Sequence, residues 1–355
     1  SIYATRHFLT LYRRSVATIA RQQLVIADWI RAYLPPEARV GVHDTGSLRY
    51  VGERPTYDLV GLTTPDAAIA WRHGAGSVFE LMETSPLRPT HFAIYPDVFS
   101  IPYLAATDLF GEELFRAEVP DYAVASAGPV QGIWRADWTL ASSGDDLYQA
   151  DVRAQLAGLT LMDTLDVADL ADEDAHQVRW WHEALRPGFP TEVLQLTYRT
   201  DPEIEVLDGG RLLTGGIAFE IATQPHTDLW LVARLHAHEA GAVYVEVGGR
   251  EIGTWAYPPV PGQWLETRFH VPAEAIDASR TEVVLRVKPD VPGFWHYAPY
   301  YFWFWQGEPT VPAVAASTDV AAGFGNALVL LGFDLPERLW HAGEVVPLTL
   351  HWQAQ

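Results

Sequence analysis

The chain has 355 residues, of which 48% are hydrophobic and 19% charged, so it can bury a core and is expected to form two or three domains. Its 45 acidic residues against 24 basic ones give a formal charge of -21, which argues against a general nucleic-acid or anionic-membrane binder. The chain contains no cysteine, which excludes disulfides, zinc–thiolate sites and cysteine nucleophiles.

The N-terminal part of the chain predicts an α/β domain. Residues 15–34 carry apolar residues at helical spacing and stop at Pro35-Pro36, so residues 1–34 are interpreted as a lead-in amphipathic helix. The runs "ARVGVHD", "RPTYDLVGL" and "THFAIYPD" predict short buried strands, and residues 101–116 predict a helix. Helices that alternate with short apolar strands favour a mainly parallel sheet over residues 35–142.

The C-terminal part predicts antiparallel β-structure. After a charged helical lead-in, short alternating strands separated by turn residues predict a jelly-roll-like β-sandwich over residues 143–308. Pro309 to Pro312 suggest a linker, and residues 309–355 are interpreted as this linker and the start of a further, truncated β-domain. The chain opens without Met and stops within a strand pattern, so it is expected to be a piece of a longer protein.

Three aspartates follow or end the apolar runs of the predicted α/β domain, namely Asp44, Asp58 and Asp97. Ligands collect at the carboxyl ends of strands in open α/β sheets, which makes these residues candidate ligand-binding groups. The alternative is structural, with Asp44 capping the next segment and Asp97 starting a turn.

Two groups of residues in the predicted sandwich are further candidates for ligand binding. Asp208 and Arg211, in "DGGR", could be offered to a polar ligand by a loop, or could form an ion pair at a structural turn. Trp255, Tyr257 and Trp264 could stack on sugar rings from a Pro-rich loop, or could pack in the core.

The sequence predicts no cofactor and no metal site. It lacks the glycine-rich phosphate-binding motifs and the G-x-S-x-G nucleophile motif. His236 and His238 would share one face of a strand, but no third ligand of suitable type is near them in the sequence.

Several segments together resemble bacterial GT-C-type membrane glycosyltransferases that use polyprenyl-phosphate sugars, a class that includes mannosyl- and arabinosyltransferases. The similar region spans roughly residues 15–140 and resembles the soluble segment after the last membrane helix. Its pattern is a strand, Asp-x-Gly, an aromatic residue, a turn and a strand with Asp-Leu-x-Gly-Leu. The matching positions are Asp44, Gly46, Tyr50, Asp58, Leu59, Gly61 and Leu62.

The resemblance implies an extracytoplasmic, non-catalytic region that is tethered to the membrane through a parent membrane-embedded domain. The catalytic carboxylate of such enzymes lies in a loop between membrane helices, so no catalytic residue is assigned to this chain. We therefore expect a region that binds acceptor glycan or cell-envelope polymer, and no nucleic acid. The alternatives are a structural or oligomerisation module without a ligand, and a free-standing carbohydrate-active hydrolase that uses Asp44 and Asp58.

Overall fold

The computed structural model describes residues 2–183, 188–200, 202–288, 296–308, 318–324, 328–335 and 348–354. The chain forms two compact units, one of Ser1–Val152 with Thr160–Gly307 and one of Arg153–Leu159 with Glu308–Gln355. Within the described residues, no helix is both long enough and apolar enough to cross a membrane.

The first part of the larger unit is an α/β region built around a five-stranded sheet of order β2-β1-β3-β5-β4. Strand β1 pairs in parallel with β2 and β3, whereas β5 pairs antiparallel with β3 and β4. Its elements are α1 (Ile2–Arg21), α2 (Gln23–Tyr33), β1 (Val40–Val42), α3 (Thr45–Tyr50), β2 (Thr56–Asp58), α4 (Ala67–His73), α5 (Ala75–Glu83), β3 (His91–Ile94), α6 (Ile101–Ala105), β4 (Phe110–Glu118) and β5 (Val130–Ala136).

Two elements of this region differ from the sequence prediction. The lead-in consists of two helices that separate at Gln22, whose buried side chain donates to the carbonyl oxygens of Gly128 and Pro129 at 3.0 Å each. Of the helix predicted over residues 101–116 only α6 forms. The remainder becomes β4, because pairing with β5 outweighs the helix propensity of its glutamates and leucine.

The second part of the larger unit is an antiparallel β-sandwich. Its two sheets have the strand orders β13-β12-β15-β10-β7 and β14-β11-β16-β6. Helix α7 (Ala150–Gln155), which precedes the sandwich, has residues in both units. The other elements of this part are β6 (Thr160–Asp166), α8 (Leu170–Ala175), β7 (Arg179–Trp181), β8 (Thr191–Tyr198), β9 (Ile204–Arg211), β10 (Gly216–Ala222), β11 (Leu229–His236), β12 (Gly241–Val247), β13 (Arg250–Tyr257), β14 (Trp264–Val271), β15 (Arg280–Val287) and β16 (Pro299–Gln306).

The sandwich core lies between the two sheets. Phe219 of one sheet packs against Phe302 and Phe304 of the other, with ring centroids 5.1 and 5.6 Å apart. All three side chains are buried, and each contributes about 2 kcal/mol of hydrophobic stabilisation. The predicted fold class, an α/β domain followed by an antiparallel sandwich, is therefore confirmed; the individual domain boundaries stay a prediction.

A hairpin of β8 and β9 contacts both parts of the larger unit. On one side, Val193 and Leu207 join the apolar cluster around Phe79 of α5. On the other side, Val206 packs in a cluster with Tyr300 of β16. The hairpin therefore fixes α5 against the sandwich and positions the groups described below.

The smaller unit contains a three-stranded antiparallel sheet of β17 (Thr318–Phe324), β18 (Leu328–Asp334) and β19 (Thr349–Ala354), with β18 in the centre. The further β-domain expected over residues 309–355 stays a prediction. The linker predicted at Pro309 to Pro312 lies outside the described residues.

Candidate ligand-binding cavity

A cavity of about 550 Å³ is lined by residues of α4, α5, α8 and β7 and the chain next to them. This volume is typical of small-molecule sites in proteins. Its walls mix apolar, aromatic and hydrogen-bonding side chains, among them Ile69, His73, Ser77, Leu81, Asp169, Glu173, Gln177 and Trp180.

The helices around the cavity end at well-defined positions. Gly74 separates α4 from α5 with a φ of +118°, which is a backbone conformation that favours glycine. A Cβ atom at Gly74 would lie 2.6 Å from the carbonyl oxygen of Thr191, so glycine also permits a close approach to β8. Across the cavity, Asp169 caps α8 by accepting a hydrogen bond of 2.9 Å from the backbone N–H of Ala171.

A buried ion pair supports the cavity wall. Arg211 is fully buried and donates from Nε and Nη2 to the two carboxylate oxygens of Glu173, at 2.5 Å each. Its guanidinium carbon lies 4.7 Å from the ring centroid of Trp180, in cation–π geometry. Arg211 therefore compensates the charge of Glu173 and helps to hold Trp180 in place.

His73 is arranged as a neutral hydrogen-bond donor. Nη2 of Arg211 lies 3.2 Å from His73 Nδ1, and because arginine can only donate, Nδ1 accepts and Nε2 carries the proton. Burial, reinforced by the charge of Arg211, lowers the pKa of His73 below its ordinary value. The ring is therefore neutral at pH 7.

Ser77 lines the cavity and has a buried hydroxyl that lacks a hydrogen-bond partner among the described residues. The residue is 1% exposed, and its Oγ makes no hydrogen bond within the described part of the chain. A buried hydroxyl without a partner is destabilising by about 1–3 kcal/mol. A ligand in the cavity could supply the missing partner.

A cluster of carboxyl groups surrounds Glu80 of α5. One oxygen each of Glu80, Asp166 and Asp208 lies within 4.8 Å of the others. Glu80 accepts from the backbone N–H of Gly209 at 2.8 Å and Asp208 from Nη1 of Arg234 at 2.7 Å, whereas the buried Oδ1 of Asp166 has no partner among the described residues.

Burial and mutual repulsion favour the protonated forms of these carboxyl groups. Three oxygens suit a hard cation, but Arg234 already places a positive charge beside Asp208. Burial, followed by repulsion from Asp166, raises the pKa of Glu80 well above its ordinary 4.5. Burial, followed by repulsion from Asp208, raises the pKa of Asp166 in the same direction, and burial raises the pKa of Asp208 to about 6.

We expect Glu80→Gln to stabilise the protein at pH 8 by about 1 kcal/mol or more. The glutamine oxygen can still accept from Gly209, and the variant carries no charge into the core. Because the folded protein raises the pKa of Glu80, wild-type stability falls as the pH rises above 4.5, and the variant should lose less over that range. Urea unfolding at pH 5 and pH 8 measures the difference.

Glu112→Gln is the matched control, because Glu112 is an exposed glutamate on β4. This substitution should change the pH dependence of the free energy of unfolding only slightly. A Glu80→Gln protein that is less stable than wild type at pH 8 would show that the charged carboxylate is needed.

The three aspartates predicted at the strand ends have different surroundings. Asp58 is buried, and it accepts hydrogen bonds from the backbone N–H groups of Val60, Gly61 and Thr63 at 2.8–3.1 Å. Asp97 is exposed in the turn after β3. Asp58 therefore shapes its own loop.

Asp44 occupies the N-cap position of α3 but makes no capping hydrogen bond. Its Oδ2 accepts from Gln23 Nε2 and from the Tyr95 hydroxyl, at 2.7 Å each. Because the carboxylates of Asp44 and Asp58 both hold neighbouring donors, this arrangement argues against the hydrolase alternative.

The "DGGR" segment lies within strand β9, so the predicted turn at Gly209-Gly210 is wrong. The glycines permit close packing instead. A Cβ at Gly209 would lie 2.4 Å from Glu80 Oε1, and one at Gly210 would lie 2.7 Å from the Tyr300 ring. Asp208 and Arg211 are both buried and paired, Asp208 with Arg234 and Arg211 with Glu173, so Arg211 reaches the cavity only through its partners.

The three predicted stacking residues are buried. Trp255, Tyr257 and Trp264 are 3%, 6% and 2% exposed. The Trp264 indole N–H donates to the carbonyl of Val206 at 3.0 Å, and Trp255 Nε1 lies 3.3 Å from Thr267 Oγ1. Sugar stacking by these rings stays a prediction that their positions do not favour.

The residues that line the cavity are not among those predicted from the sequence. Trp180 lies in "VRWWHE", within the charged lead-in that is predicted to be helical, whereas the structure places β7 there. Two adjacent aromatic residues after a charged segment favour a strand, and this pattern could have predicted β7. No local sequence pattern marks Ser77 or His73 as cavity residues, because the contact of α4 and α5 with α8 joins segments about 100 residues apart.

Comparisons with known proteins cover different parts of this architecture. A family described as a domain of unknown function (DUF8728) matches residues 16–158, which include most of the α/β region. No match was found among curated proteins.

Solved structures that overlap with the chain include carbohydrate-binding modules. A family 35 module from Clostridium thermocellum is 7% identical over 41% of this chain and 98% of its own, with a TM-score of 0.25. The module CBM6cm-2 from Cellvibrio mixtus lichenase 5A, in complex with cellotriose, is 12% identical over 42% of this chain and 100% of its own, with a TM-score of 0.26.

The GH115 4-O-methyl-alpha-glucuronidase BtGH115A is 9% identical over 28% of this chain, with a TM-score of 0.23, and the match spans only 14% of that enzyme. Superpositions at these scores carry no functional argument.

Proposed function

We propose that this chain is a non-catalytic, carbohydrate-binding region of a membrane glycosyltransferase and that the sugar binds in the cavity beside Trp180. The observation that carries the proposal is Ser77, which lines the cavity of about 550 Å³ and whose buried hydroxyl has no partner among the described residues. A sugar hydroxyl is a suitable partner, because it can both donate to and accept from a serine.

The remaining walls favour a neutral polyol. Trp180 offers an aromatic surface for the apolar C–H faces of a sugar ring, and His73 offers a neutral N–H donor. Asp66, Asp169 and Asp174 line the cavity as hydrogen-bond acceptors. Their negative charge disfavours anionic ligands, since the arginine nearby is already paired with Glu173.

The wider context rests on the sequence resemblance. The Asp-x-Gly and Asp-Leu-x-Gly-Leu pattern supports a membrane glycosyltransferase as the parent protein and the extracytoplasmic side as its location. A bound acceptor glycan or cell-envelope polymer fits that setting. In this proposal the chain binds and positions the glycan, and the membrane-embedded part transfers the sugar.

Calorimetric titration tests the proposal, with mannobiose and arabinobiose as neutral probes and glucuronic acid as the anionic one. We expect the neutral disaccharides to bind with dissociation constants of about 1 mM or below and glucuronic acid to bind more weakly. Lack of any heat change at roughly 10 mM of either disaccharide would falsify sugar binding.

Two substitutions locate the site. Ser77→Ala should leave stability unchanged or slightly higher, because the hydroxyl has no partner among the described residues, and should weaken binding by about fivefold. Trp180→Ala should weaken binding by about tenfold or more. Tyr50→Ala is the control, since Tyr50 is 86% exposed and does not line this cavity. Equal affinity in wild type and Ser77→Ala would place the sugar elsewhere.

A further inference from the structure

Helix α1 is exposed over most of its length. Every described side chain from Ile2 to Ala17 is exposed or half-buried, and the first buried one is Thr18. Thr18 Oγ1 accepts from the backbone N–H of Ala123 at 2.9 Å, and Arg21 pairs with Asp121. The helix is therefore anchored at its C-terminal end, and its first four turns have little contact with the described part of the chain.

The exposed residues of α1 form an apolar stripe. At 3.6 residues per turn, Ile2, Phe8, Leu9, Tyr12 and Val16 lie within about 120° of the helix circumference. Phe8 and Tyr12 are 66% and 67% exposed. Single exposed apolar residues are ordinary on a protein surface, but five on one face of one helix mark an interaction surface.

The charge of α1 is opposite to that of the whole protein. The helix carries Arg6, Arg13, Arg14 and Arg21 and no acidic residue, in a chain whose net charge is -21. Arg6 and Arg13 are two helical turns apart and flank the apolar stripe on the same side. Neither forms an ion pair within the described residues, so their charges are available to an external partner.

We propose that the apolar stripe and its flanking arginines dock α1 on an anionic lipid surface. The apolar side chains would enter the interface between headgroups and acyl chains, while Arg6 and Arg13 contact lipid phosphates. The arrangement of an apolar face, basic flanks and low overall hydrophobicity is that of a helix that lies on a membrane.

The negative net charge disfavours membrane binding by the chain as a whole but acts only weakly on α1. Salt screens exposed charges beyond about 8–10 Å at physiological ionic strength, so the acidic surface of the rest of the chain acts weakly on α1 when it lies further away. The inference is independent of sugar binding, because it uses no residue of the cavity.

Co-sedimentation of the 355-residue chain with vesicles tests this inference. The vesicles are phosphatidylcholine alone or phosphatidylcholine with phosphatidylglycerol, and we expect binding to the anionic mixture only. Arg6→Gln with Arg13→Gln should weaken binding to the anionic vesicles by about thirtyfold. Arg49→Gln with Arg72→Gln is the matched control, since these exposed arginines lie on α3 and α4, and it should bind as wild type.

Phe8→Ser with Tyr12→Ser should also abolish vesicle binding, while circular dichroism should show the same helical content as the control Tyr50→Ser with Leu62→Ser. Equal sedimentation with neutral and anionic vesicles, or with neither, would overturn the proposal. So would a dimer that forms with rising concentration and is lost in the Phe8→Ser, Tyr12→Ser protein without any lipid binding, because a second copy of the chain would then be the partner.

Discussion

Arg234→Met should lower the free energy of unfolding by about 3–5 kcal/mol, because it leaves buried carboxylates without their counter-charge. Arg234 is fully buried on β11, and it donates to Asp208 at 2.7 Å and lies 3.6 Å from Glu266. It also donates to the Tyr198 hydroxyl at 2.6 Å and to the carbonyl of Gly144 at 2.5 Å. Methionine keeps much of the volume but supplies none of these hydrogen bonds. Urea unfolding at pH 7 measures the loss.

Arg280→Met is the matched control for this prediction. Arg280 pairs with Glu220 on the exposed surface of the sandwich, where an ion pair contributes less than about 1 kcal/mol. Combining Arg234→Met with Asp208→Asn should recover part of the lost stability, since it removes one of the orphaned charges. If the Arg234→Met and Arg280→Met variants unfold at the same urea concentration, the buried hydrogen bonds and ion pairs of Arg234 stabilise the protein no more than an exposed ion pair does.

Gly61→Ala should destabilise the protein by about 3 kcal/mol. Gly61 has a φ of +90°, which is unfavourable for alanine, and a Cβ there would lie 2.0 Å from the backbone nitrogen of Ala68. That contact is with the backbone of the first turn of α4, so no side chain can move aside to relieve it. The substitution also disturbs the loop that Asp58 holds through the N–H of Gly61. Thermal unfolding followed by circular dichroism measures the change.

Gly46→Ala is the opposite case within the same sequence motif. Gly46 lies in α3, and a Cβ there would meet nothing within 4 Å. Alanine should therefore leave stability unchanged or raise it by up to about 1 kcal/mol. Equal effects of the two substitutions would mean that the motif glycines serve something other than backbone geometry.

The fold class could be predicted from the local sequence because the hydrophobic patterns of the α/β region and of the sandwich are typical of their secondary structures. Val40–Val42 is a short apolar run between polar residues, and it forms a buried strand. The aromatic run of β16 is buried because it pairs with β11 and β6 on its two edges and packs against the opposite sheet. Where local propensity and tertiary pairing disagreed, as in β4, pairing decided the structure.

The candidate site could be predicted only in part, because its geometry depends on long-range contacts. Asp58 and Arg211 were singled out for their charge, but sequence cannot show whether a charged side chain faces solvent or a buried partner. Composition likewise does not distinguish Trp264, which is in the core, from Trp180, which lines the cavity. The contact that creates the cavity joins α5 to a segment that follows it by about 90 residues.

The position of α5 bears on how the molecule can be divided for experiment. Glu80 is hydrogen-bonded to Gly209, the backbone N–H of Ser77 donates to Thr191 Oγ1, and Glu83 accepts from the N–H of Ser142. Dividing the chain near residue 142 would expose buried carboxyl groups of α5 on one fragment. On the other fragment, β8 and β9 would lose the helix against which they pack. We therefore expect the α/β region and the sandwich to unfold together, and a fragment intended for expression should keep both.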